Sequence, residues 1–171
     1  MKKILFTALL GVLFTASYAQ VSIKCGSVTY SIPGELVATL KHGTMELKSY
    51  AAIKNDSVMF AHVVHMDGKL SSIKTYRMAI VTIDAVASNI KESDTGYSGN
   101  PKAFWLTFNK PMFGGTMGSI YTEADGCGFE TSKPRVTKLG FAMTYFESEA
   151  KAKEFMQKVF AKGAELLKPK E

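Results

Sequence analysis

Histidine and cysteine are the side chains best suited to chemistry near neutral pH, and this 171-residue chain holds His42, His62, His65, Cys25 and Cys127. His62 and His65 stand three apart in a run that alternates like a strand, so their side chains leave opposite faces. That spacing would suit a metal on a helix, but zinc needs three or four converging ligands. No His-x-His and no Cys-x-x-Cys is present, so neither a metal nor a cofactor is expected. One packed and one exposed histidine is the expected outcome, with His42 solvated in a turn. If His62 or His65 acted as a base, a carboxylate such as Asp67 or Asp84 would have to lie within about 3 Å at the base of a cleft.

Other constellations fall short in similar ways. Cys127 as a nucleophile needs a base beside it, and no Gly-x-Ser-x-Gly elbow occurs. Glu123, Asp125 and Glu130 surround Gly126 and Gly128 but miss the spacing that wraps oxygen ligands around calcium. Gly114-Gly115-Thr116-Met117-Gly118 lacks the helix that a phosphate cradle requires, because Ser119 to Thr122 favours a strand. No catalytic residue is assigned. Aromatics and methionines offer a binding alternative. Phe104, Leu106 and Phe108 share one face of a predicted strand and point to the core. Trp105 then faces away and, with Met112, Phe113 and Met117, could line an apolar groove for a small apolar ligand or a partner protein.

The chain begins with Lys2 and Lys3, an apolar run of roughly 13 residues, then Ser17-Tyr18-Ala19. A spanning helix needs ~17–25 apolar residues, so 1–19 reads as a secretory signal peptide cut after Ala19. The expected product is one soluble domain, 20–171, in the periplasm or outside the cell, with no membrane span. Removing two of the 21 basic residues and none of the 15 acidic ones leaves a net charge of +4. Those charges are scattered, and a nucleic-acid binder wants a basic stripe; no nucleic-acid partner is expected. In an oxidising compartment the even pair Cys25 and Cys127 favours a disulfide. It would close a loop of about 100 residues, for which chain entropy allows up to ~5 kcal/mol.

Positioning elements are mainly strands. Val21 to Ile32 opens the domain, and Ser57–Met66, Asp67-Gly68 and Lys69–Tyr76 form the clearest hairpin, since Asp-Gly supplies the positive φ of a tight turn. Leu36–Leu47 reads as strands around a His42-Gly43-Thr44 turn, with a short helix as the rival. Tyr76 to Asp84, Ala103 to Phe108, Ser119 to Thr122 and a last strand from Arg135 follow, with Lys91–Lys102 and Glu123–Pro134 as loops. In the last strand Leu139, Phe141, Met143 and Tyr145 share the face assigned to the core. Ser148 to Leu167 is one amphipathic helix: Ala152, Phe155, Met156, Val159, Phe160, Gly163, Leu166 and Leu167 fall on one stripe, with Ser148 as N-cap. The fold class is mainly β (α+β): a single antiparallel curved sheet or barrel of about seven or eight strands, capped by the C-terminal helix.

An aromatic strand running into Ser148-Glu149-Ala150-x-x-x-Glu154-Phe155 resembles the closing strand and helix of pleckstrin-homology-like barrels. Tyr76-Arg77-Met78-Ala79-Ile80-x-x-Ile83-Asp84 is similar to the mid-domain strand of small bacterial versions. The resemblance implies a bent sheet plugged by the helix and no functional residue, because the basic lipid-headgroup loop has no counterpart. A lipocalin-like barrel is the rival architecture, but its Gly-x-Trp is missing. The expected function is an exported, non-catalytic binding or interaction domain. Its alternatives are a small hydrolase or transferase using His and carboxylate, and a surface-assembly or structural protein.

Overall fold

The structure is a computed structural model that describes residues 20–93, 102–110, 119–125 and 135–169. For 119–125 and 135–138 only the backbone is described. Its strands are β1 (Gln20–Cys25), β2 (Val28–Pro33), β3 (Glu35–His42), β4 (Met45–Lys54), β5 (Ser57–Met66), β6 (Lys69–Ala79), β7 (Asp84–Ser93), β8 (Ala103–Asn109), β9 (Ser119–Asp125), β10 (Arg135–Leu139) and β11 (Phe141–Phe146). A single 3-10 turn, Ile80–Thr82, separates β6 from β7, and α1 (Glu149–Leu166) ends the fold.

Tight turns build the main wall. Gly43 (φ 56) joins β3 to β4, Asn55 (φ 54) sits between β4 and β5, and Asp67 (φ 52) with Gly68 (φ 73) joins β5 to β6. The left-handed pair Asp67-Gly68 matches the twist of its flanking strands. The result is an antiparallel sheet in the order β10-β9-β6-β5-β4-β3. A second sheet, β11-β8-β7, packs on it, and β1-β2 form a separate hairpin. The architecture is mainly β with a C-terminal helix, as expected, but the described residues spread over three sheets and form no single closed barrel.

β5 is buried on both faces, which is why it reads as a nearly continuous apolar run. Val58 and Phe60 face β8, β11 and α1, in a core with Leu106, Phe108, Phe146, Phe155 and Val159. Ala61 and Val63 face the other way, with Tyr50, Ile73 and Ile32, beneath the β1-β2 hairpin. Phe60 stacks on Phe108 at 6.0 Å between ring centroids.

The helix caps as its sequence indicates: the Lys151 backbone N–H donates to Ser148 Oγ at 3.3 Å. Ala152, Phe155 and Val159 are its buried residues, while Lys153–Glu149 and Lys158–Glu154 pair at 2.7 and 2.6 Å on the wet side. The stripe outruns its support: Leu166 is 37 % and Leu167 71 % exposed. At Gly163 the near neighbour of an added Cβ is the Ile80 Cγ2 methyl at 3.2 Å, a side chain rather than the backbone approach that a mid-helix glycine suggests. Helix propensity favours alanine by about 1 kcal/mol, and that contact opposes it. Gly163→Ala is therefore expected to move the urea midpoint by less than the ~1 kcal/mol equivalent of propensity alone.

Two sequence expectations need correction. The buried face of β11 is Ala142, Thr144 and Phe146, not Phe141, Met143 and Tyr145. Period-2 reading was carried through Gly140, where the strand breaks between β10 and β11, and a one-residue offset inverts every face. Phe146 is buried because it meets Phe155 at 5.5 Å. The Cys25–Cys127 disulfide also has to be cut back to what is described: Cys25 is the single described cysteine and is not a free thiol, Cys127 lies outside the described residues, and no close Sγ–Sγ pair is present among those residues. The loop-closure stabilisation attached to the pairing is not claimed.

Candidate functional site

The interior polar site is built by four strands. Ser49 on β4, His62 on β5 and Lys74 on β6 are register partners across the main sheet. Thr144 arrives from β11, and its Oγ1 is hydrogen-bonded to His62 Nε2 at 3.2 Å. His62 is 8 % exposed; Ser49 and Thr144 are fully buried. The Tyr76 ring presents an edge to the imidazole at 5.4 Å, and Tyr145 lies 6.2 Å away. On this face Phe60 belongs to the core under α1, and Val64 packs with a second cluster of Leu40, Leu47 and Ala103. His62 and its neighbours thus form a polar seam between two apolar clusters.

Burial pushes the His62 pKa down to about 4, and the Lys74 charge adds to that. His62 is therefore neutral at pH 7. The unfolded chain takes up this proton near the ordinary value of about 6.5, before the folded one does. Stability from this group is complete above that pH, falls as pH drops towards about 4, and is flat below it. The expected loss is about 3 kcal/mol. Urea midpoints measured across that window should slope more steeply in the wild type than in His62→Gln; equal slopes would remove the buried histidine from the account.

Neither proposed acid partner reaches His62, whose hydrogen-bond partner among the described residues is the Thr144 hydroxyl. Asp67 is an exposed turn residue. Asp84 Oδ1 accepts from the backbone N–H groups of Val86 and Ala87 at 3.0 and 3.3 Å. There it shapes a bulge: the step from Asp84 to Asn89 on β7 matches only Asn109 to Thr107 on β8. Asn109 Nδ2 donates to Ala87 O at 2.6 Å and Ser88 Oγ to Asp84 O at 2.6 Å, so the bulge is pinned while Val86 stands 97 % exposed.

His65 lies nearer the surface, opposite Glu46. Its Nδ1 is buried without a hydrogen-bond partner. With Lys41, Glu46 and Lys48 it lines a recess of about 400 Å³ between the β3-β4 and β5-β6 turns. The Asp67 N–H donates to Thr44 O at 3.1 Å and ties the two turns together. Glu46 is held below its usual carboxylate range, chiefly by its hydrogen bond to Lys48. His42 is exposed at the end of β3.

Trp105 is half-buried and its ring centroid lies 3.9 Å from that of Tyr145, its partner across β8 and β11. Met112, Phe113 and Met117, the other residues of the expected groove, lie outside the described residues. Sequence reading missed Ser49, Lys74 and Thr144 around His62. The Asn55-Asp56 turn would have supplied the first, since a two-residue hairpin starting from Lys54 and Ser57 sets Ser49 against His62. Among the described residues no three His, Cys, Asp or Glu side chains gather as a metal would need, and no helix is long and apolar enough to cross a membrane. Compared with protein-family models, with curated proteins and with solved structures, the chain matches none.

Proposed function

We propose that the chain is an exported interaction domain that binds a protein or a small apolar ligand and performs no reaction of its own. The observation that carries this reading is the sealing of His62, which is neutral, held by a hydroxyl and supplied with no acid among the described residues. A general base has to reach both its substrate proton and an orienting partner. His65 faces Glu46, but that carboxylate is engaged by Lys48 at 2.9 Å and Lys41 at 3.5 Å. The pinned Val86, together with Val81 (48 %) and Leu167 (71 %), gives the surface apolar anchors of the kind that recognition uses. Export rests on the leader at 1–19, which precedes the described residues.

The test has two arms. N-terminal sequencing of the chain recovered outside the cytoplasm should begin at Gln20, and an intact Met1 there would reject cleavage. Native mass spectrometry should find a bound partner, and a panel of ester and phosphoester substrates should show no turnover. Hydrolysis that disappears in His62→Gln or His65→Gln would replace the binding reading with the hydrolase one.

A further inference from the structure

We propose that Gln20 is a modification site: after the leader is cut, it closes to pyroglutamate and leaves the chain with a neutral, blocked N-terminus. The inference rests on cleavage after Ala19, which makes Gln20 the first residue and its nitrogen a free α-amine. The amine lone pair attacks the side-chain Cδ, and the new C–N bond closes a five-membered lactam. The Cδ–Nε2 bond breaks, and the amide nitrogen leaves as ammonia with the proton that the amine gives up. No oxidant, reductant or second substrate enters the balance.

Two features of the fold leave this residue open to the reaction. The first is the strand register. Counting from the two-residue turn after Cys25, whose Gly26 has φ 59, the hydrogen-bonded pairs of β1 and β2 are Cys25–Val28, Ile23–Tyr30 and Val21–Ile32. Gln20 stands opposite Pro33 at a non-bonded place, so its nitrogen points away from β2. Pro33 fits there because the N–H it lacks would also face outward. The β1-β2 ladder therefore holds the chain from Val21 onward and makes no claim on the nitrogen that must attack. The second feature is the side chain: Gln20 is exposed, and its Nε2 donates to the exposed hydroxyl of Ser31. The ammonia is thus released at the surface. Gln20 also lines a mainly apolar recess of about 260 Å³ with Pro33, Ala52, Met59 and Lys54. A neutral lactam suits that recess better than an α-ammonium, which would add a second positive charge to a wall that already carries Lys54.

The test is mass spectrometry of the exported chain, with free amines dimethylated before digestion so that closure during handling does not count. Most N-terminal peptides are expected to begin at Gln20, to carry no label at that end, and to be lighter by one ammonia. Gln20→Asn should be cut at the same place and gain the label, since its shorter side chain could close only a four-membered ring. A labelled, full-mass Gln20 in the wild type overturns the modification and leaves the export reading standing. A chain that starts anywhere but residue 20 overturns cleavage after Ala19 and the modification with it. An unlabelled N-terminal peptide short of one ammonia in Gln20→Asn would place the loss on another group and overturn the assignment to this side chain.

Discussion

Gly34→Ala should be among the most damaging single substitutions in the domain, at about 3–5 kcal/mol. Gly34 has φ +97, a backbone conformation that side chains strongly disfavour. A Cβ there would lie 2.1 Å from Ala51 O and 2.4 Å from Ala51 C, both backbone atoms. Ala51 is locked in β4, between Glu35 on β3 and Phe60 on β5, and cannot step aside. The chain has no other room: Pro33 ends β2 on one face of the main sheet, and Glu35 begins the edge strand. Chemical denaturation of the variant should show a collapsed midpoint, with insolubility as the extreme. A midpoint near wild type would mean that the β2–β3 crossing is not as close as described.

Phe155→Ala should cost about 3–5 kcal/mol. The ring is 7 % exposed, 5.8 Å from Phe60 and 5.5 Å from Phe146, so it joins the helix to both sheets at once. Removing it leaves a cavity with rigid aromatic walls that relax little. Lys158→Ala, one turn on, should be nearly silent, because its pair with Glu154 is exposed on both sides. Comparable losses in the two variants would mean that the helix is not seated on this face.

These two positions show how far the sequence could be read. The helix was legible because its stripe repeats over many turns, and Ser148 marks its start without ambiguity. The Asp67-Gly68 hairpin was legible for the same reason, a local turn with one strong chemical signature. What escaped was register. A two-residue turn alone would set His62 against Ile73, but a bulge between Val64 and His65 moves Lys74 into that place. Strand periodicity carries no mark of such an insertion, and the same blindness inverted β11 across Gly140. The polar seam was invisible because Ser49, His62 and Thr144 are far apart in sequence and meet only when two sheets stack. Nothing in the sequence marks Gly34 as a close contact, since the closeness of Ala51 exists only once β3 and β4 have paired.

Chain order also has a temporal side. The strands from β3 to β6 are joined one after another by short turns, so the broad wall needs only neighbours in sequence to assemble. The helix that covers it, α1, is made after all of them. Until residues beyond Val159 are made, Phe60 on that wall lacks the Phe155 and Val159 side chains that complete its cover, on a face that already has its shape. A chain halted before α1 would be a preformed sticky plate, the sort of intermediate that chaperones hold and that self-associates when they do not.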